Sequence, residues 1–94
     1  MAKRVDANQR EIVKTLRSLG GTVLILSEVG KGCPDICLGY RGKNYLIEIK
    51  DGSKPPSKQA LTSDESKFHL AWKGQVCIIN SIDNAVKFLN EQAG

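Results

Sequence analysis

Two carboxylates and an ammonium, Asp35, Glu48 and Lys50, fall close together in the middle of the chain. Carboxylate oxygens suit a hard divalent cation such as Mg2+ or Mn2+, and a cation held by one or two of them keeps positions open for water and a phosphate oxygen. Phosphodiester hydrolysis needs a hydroxide-like nucleophile, a counter-charge for the pentavalent transition state and help for the leaving alkoxide. A carboxylate-bound cation contributes to each. Lys50 would add a positive charge that orients the attacking water or neutralises the scissile phosphate. A lone Glu-x-Lys is usually a pair of solvated residues on an amphipathic strand. What favours the chemical reading is Pro34-Asp35 opening the preceding strand, at a spacing that lets the side chains converge.

That convergence requires a sheet. Asp35-Ile36-Cys37-Leu38-Gly39-Tyr40 and Tyr45-Leu46-Ile47-Glu48-Ile49-Lys50 flank the turn-like Arg41-Gly42-Lys43-Asn44, a pattern that predicts a β-hairpin. A four-residue turn pairs Tyr40 with Tyr45, sets Asp35 opposite Lys50 and Cys37 opposite Glu48, and makes Asp35 and Glu48 diagonal neighbours roughly 7–8 Å apart. Alternation then gives Ile36, Leu38, Tyr40, Tyr45, Ile47 and Ile49 one apolar face. Asp35, Glu48 and Lys50 share the other, together with Cys37.

The remaining elements follow from periodicity and punctuation. Asp6 with Gln9 reads as a capping box for a helix over about 7–19, striped by Ile12, Val13, Leu16 and Leu19 and stopped by Gly20-Gly21. Thr22-Val23-Leu24-Ile25-Leu26 predicts a strand buried on both faces. Gly30-Lys31-Gly32-Cys33-Pro34 marks a loop, and Asp51-Gly52-Ser53-Lys54-Pro55-Pro56 leaves the sheet as a mobile one. Thr62 with Glu65 forms a second capping box, for a helix through about Trp72 that Gly74 ends. Phe68, His69 and Trp72 serve there in core or dimer packing. Val76-Cys77-Ile78-Ile79-Asn80 is a further strand, and Ser81 caps a last helix carrying Ile82, Ala85, Val86 and Leu89. The order α-β-β-β-α-β-α, without internal repeats, predicts one layered α/β domain over 1–94.

The chain has 94 residues and a formal net charge of +4, which favours polyanionic partners without specifying one. No apolar run approaches the roughly 20 residues needed to cross a bilayer, and 1–6 lack the apolar core of a signal peptide. Cys33, Cys37 and Cys77 are odd in number and form no CxxC pair, which argues against a disulfide framework or a structural zinc site and fits a reducing cytoplasm. Lys31, Arg41, Lys43, Lys54 and Lys58 surround the candidate site in sequence and are the expected phosphate contacts. The stretch 54–58 is the expected loop that orders on nucleic acid.

Gly32-Cys33-Pro34-Asp35, followed by Ile47-Glu48-Ile49-Lys50 within an α-β-β-β-α-β frame, resembles the PD-(D/E)xK nuclease superfamily. Within it, the chain resembles VRR-NUC domains (virus-type replication-repair nucleases) from about Asn8 to Leu89, including the Leu-Thr entry to the later helix, Gly74 and the closing Ser-Ile-Asp. The resemblance implies a restriction-endonuclease-like α/β core with a C-terminal helix. It implies Asp35 and Glu48 as metal ligands, the Ile49 carbonyl as a further ligand, Lys50 as the catalytic lysine and Glu11 as a catalytic glutamate near the metal. Where family members often carry a helper glutamine, this chain has Glu65, with Gln59 displaced upstream. The implied activity is that of a Mg2+-dependent endonuclease, with Mn2+ able to substitute, acting on branched DNA or repair intermediates in a phage or bacterial cytoplasm. A short chain with one active site gains most on a two-fold symmetric four-way junction if it dimerises. The expectation is therefore a homodimer resembling a Holliday junction resolvase. The alternatives are a monomeric flap or single-strand nuclease, and a non-catalytic DNA-binding module.

Overall fold

A computed structural model describes residues 6–93. The segment 1–5, which carries most of the leader reading above, lies outside the described residues. Helix α1 (Ala7–Ser18) begins where the Asp6 carboxylate accepts the Gln9 amide at 2.8 Å. Only that half of the predicted capping box forms, because the Gln9 side chain turns inward and donates to Ser27 Oγ at 3.2 Å. Strands β1 (Thr22–Ile25), β2 (Ile36–Tyr40) and β3 (Lys43–Ile49) run antiparallel in succession. A short helix α2 (Pro56–Gln59) and helix α3 (Ser63–Ala71) then carry the chain across the sheet to β4 (Val76–Ile79), which pairs parallel to β3. Helix α4 (Ile82–Ala93) closes the fold, its first turn capped by Ser81 Oγ, which accepts the Asn84 amide at 3.0 Å.

The sheet order is β1-β2-β3-β4. One face carries Ile36, Leu38, Tyr45, Ile47, Ile49 and Ile79, and α1 and α4 cover it with Ile12, Val13, Leu16, Ala85 and Leu89. Removing that apolar surface from water is what holds these helices to the sheet, at about 1.5–3 kcal/mol for each fully buried aliphatic side chain. The opposite face, which carries the charged residues, is covered only in part, by α3.

Three further expectations are corrected. The hairpin turn has two residues, not four: Arg41 (φ 51°) and Gly42 (φ 80°) both adopt left-handed backbone, the conformation whose twist matches that of the flanking strands. Tyr40 therefore pairs with Lys43 and Ile36 with Ile47. The pairing has slipped by two residues, which preserves every face assignment but brings Asp35 level with Glu48 instead of Lys50. The second correction concerns β1, which is an edge strand and not a doubly buried one, with Leu24 63% and Ile25 43% exposed. Third, the 51–56 loop runs into a helical turn, because Pro56 at the first helical position has its φ preset.

Candidate active site

Asp35 emerges from a tight loop in which Gly30, Lys31 and Gly32 all have positive φ. Gly32 lies against the first turn of α3 so closely that a Cβ there would overlap the Asp64 carbonyl. The loop before Asp35 and the start of α3 are thus packed as one unit. The Asp35 carboxylate then reaches across to β3, where its Oδ2 accepts the Ile49 amide at 2.7 Å.

Glu48 is almost fully buried, at 3% exposure, and its Oε1 has no hydrogen-bond partner among the described residues. Burial above all, then the neighbouring Asp35 carboxylate, which favours a proton held between the two, pushes the Glu48 carboxyl up to about 9. Glu65 adds repulsion in the same direction and Lys50 opposes it. The Lys50 ammonium lies 4.0 Å from Glu48 Oε2 and 2.8 Å from Glu65 Oε1. Glu65 is held in turn by the capping box of α3: its Oε1 accepts the Thr62 amide at 2.9 Å, and Thr62 Oγ1 accepts the Glu65 amide at 3.2 Å. Burial opposes ionisation of Glu65, yet its hydrogen bonds from Lys50 and Thr62 outweigh that and hold it below the ordinary carboxylate value. The Lys50 backbone is fixed on both sides, its amide donating to the Ile79 carbonyl at 3.0 Å and its carbonyl accepting Asn8 Nδ2 at 2.7 Å.

The structure thus brings Asp35, Glu48, Lys50 and Glu65 together, with the Ile49 backbone between them. No hydrogen bond or ion pair among the described residues joins the other expected residues to this group. Glu11 is exposed and lines a cleft with Asp51, Asp83 and Asn8, the residue that holds the Lys50 carbonyl. Gln59 donates to the Lys54 carbonyl and accepts from Asn80 Nδ2, so of the two helper positions it is Glu65 that contacts the lysine. Lys31 is exposed on the loop leading to Asp35, and Lys54 and Lys58 are exposed around α2. Arg41 and Lys43 lie at the other end of the hairpin, roughly 17 Å from Glu48 at about 3.4 Å per residue. Asn8 was missed by sequence reasoning, because nothing in its local pattern says that a helix start meets the end of β3.

No protein-family model matches the chain, and no curated protein does. A solved structure described as a "VRR_NUC domain" is similar over 87% of this chain and 89% of its own, with 27% sequence identity and a TM-score of 0.57. The chain is similar in fold and sequence to a VRR-NUC domain. Its four-stranded sheet flanked by helices is consistent with a restriction-endonuclease-like core. The likeness supports a nuclease domain of the PD-(D/E)xK type. No helix among the described residues is long and apolar enough to cross a membrane.

Proposed function

We propose that this protein is a Mg2+-dependent endonuclease that cleaves branched DNA as a homodimer, in the manner of a Holliday junction resolvase. The observation that carries the reading is the buried Glu48 beside Asp35, with one carboxylate oxygen lacking any partner among the described residues. A buried carboxylate beside a second one, with an oxygen unpartnered and only Lys50 at 4.0 Å to offset it, is costly, and a divalent cation relieves it. The donor set fits such an ion. It is all oxygen, and two carboxylates leave coordination positions open to water and substrate.

Asp35 and Glu48 would hold the cation, and the Ile49 carbonyl is the nearest backbone candidate to join them. When bound, the cation supplies Lewis-acid stabilisation of phosphate charge and acidifies water. Lys50 contributes a fixed ammonium beside the pair, suited to a phosphate oxygen or the attacking water. Glu65, on a capped helix end, keeps that ammonium from swinging away. Lys31, Lys54 and Lys58 are the nearest candidates for phosphate contacts. For dimerisation, the support is exposed apolar surface on and after α3, with Leu70 88% and Trp72 46% exposed.

Cleavage of a labelled four-way junction, a flap and a plain duplex, with Mg2+, with EDTA and with Asp35→Ala, tests the reading. Symmetric, metal-dependent nicking of the junction that the substitution abolishes is the expected result. Cutting confined to the flap would discard the junction and keep the nuclease. No cutting with Mg2+ or Mn2+ would leave a DNA-binding module.

A further inference from the structure

The two flanks of α1 carry opposite charge. Toward the β3–α2 connection, Glu11 shares a cleft with Asp51 and Asp83. On the other flank, beside the edge strand β1, Arg10, Lys14 and Arg17 recur at helical spacing and line an open groove of ≈ 520 Å³ floored by Val13 and Ile25. No acidic residue is among the described residues lining it. Arg17 donates to the Val23 carbonyl at 3.2 Å, a contact that anchors its guanidinium without cancelling its charge. The groove lies on the α1 side of the sheet and is tied to the candidate active site through the β1 edge. Gln9, at its head, donates to Ser27 Oγ, and the neighbouring Leu26 amide donates to the Asp35 carbonyl at 2.8 Å. One strand, β1, separates Asp35 from this edge.

We infer that this groove binds the phosphate backbone of a duplex arm of the DNA substrate, leading the arm away from Asp35 around the β1 edge and along α1. The inference rests on the nuclease reading and adds the path of the DNA. Arg10 to Arg17 spans roughly 10 Å along the helix axis, about three nucleotide steps of a duplex strand. Two guanidiniums and an ammonium over an apolar floor match phosphates flanked by deoxyribose. Glu11, Asp51 and Asp83 repel phosphate on the opposite flank, so charge gives the arm a single side.

The test is fluorescence anisotropy with labelled four-way junction and linear duplex, in EDTA, across a salt series. It compares wild type with Arg10→Gln/Lys14→Gln/Arg17→Gln and with Lys67→Gln/Lys73→Gln/Lys87→Gln, which removes the same charge elsewhere. The α1 variant is expected to bind about 10- to 100-fold more weakly, with the salt slope reduced by about 2–3, close to 0.9 for each lost phosphate contact. The second variant is expected to lose less than about threefold. Because Arg17 also holds the Val23 carbonyl, Lys14→Glu alone is measured beside the triple variant and is expected to lose several-fold affinity with unchanged thermal unfolding. Equal losses in the two triple variants would reduce the effect to net charge and overturn the assignment. Unchanged affinity in the α1 variant would also overturn it and leave the groove to an acidic protein partner. Wild type that binds neither DNA would bring down the nuclease reading itself, an outcome distinct from the others.

Discussion

Glu48 is the residue at which fold and chemistry pull in opposite directions. Its carboxyl binds a proton up to about 9 in the folded chain, against an ordinary 4.5. The stability tied to that proton is fully present below about pH 4.5 and is lost as the pH rises toward 9. In EDTA, the unfolding midpoint should therefore fall across that window, and Glu48→Gln should flatten the decline. A midpoint independent of pH in wild type would contradict the buried, unpartnered carboxyl. Glu65 permits a second test. Glu65→Ala removes the acceptor for both Lys50 and Thr62, and should cost about 1 kcal/mol of stability and lower kcat more than it raises KM. Glu65→Gln keeps the acceptor oxygen, and should restore stability to within about 0.5 kcal/mol and most of kcat. An alanine variant with wild-type kcat would show that Glu65 serves α3 alone. Alternation by itself put Asp35, Glu48 and Lys50 on one face in sequence, and the structure agrees. The Lys50–Glu65 and Lys50–Asn8 contacts were not legible, since each depends on how separate elements dock.

At the scale of elements, helix boundaries were legible because caps are local. Thr62 and Glu65 announce α3 within four residues, and the structure forms both halves of that box. Strand pairing was harder. The tetrapeptide Arg41-Gly42-Lys43-Asn44 does not reveal that Arg41 will accept a left-handed backbone, and that choice moved the register by two. The exposure of β1 was illegible for a different reason: the run Thr22-Val23-Leu24-Ile25 reads alike at an edge and at the centre of a sheet. The loop before Asp35 offers a prediction about contacts as against conformation. Gly30 and Gly32 both have positive φ, but a Cβ at Gly30 meets nothing within 4 Å, whereas at Gly32 it meets the α3 backbone. Gly30→Ala should cost about 1 kcal/mol, from backbone strain alone. Gly32→Ala should cost more, about 2–4 kcal/mol, and should also depress cleavage because α3 carries Glu65. Chemical denaturation of the two variants side by side decides it; equal losses would mean that the loop and α3 are not packed as described.

For the whole molecule, cation binding and self-association are the properties to measure. A cation that binds only the folded chain adds stability by mass action, about 2.7 kcal/mol at a hundredfold excess over Kd. Mg2+ should therefore raise the unfolding midpoint of wild type and leave that of Asp35→Ala unmoved. Equal shifts in both proteins would place the ion elsewhere. Sedimentation should find a dimer at micromolar concentration, and Leu70→Ser/Trp72→Ser should convert it to a monomer without loss of fold. A wild-type monomer would remove the symmetry argument for junctions. The charge division across α1 belongs to this scale too. It could not be read from the sequence, because Arg10 and Glu11 are adjacent there and face different clefts only once the helix is docked.

The unpartnered oxygen of Glu48 also bears on how this chain would drift. A copy released from any demand for chemistry, and selected only to stay folded, would gain by replacing that glutamate with a neutral or apolar residue of similar volume. Position 48 would then change early, while Ile47 and Ile49 on either side stayed apolar to keep the core filled. Its loss would mark a lineage that has kept the scaffold and abandoned the reaction.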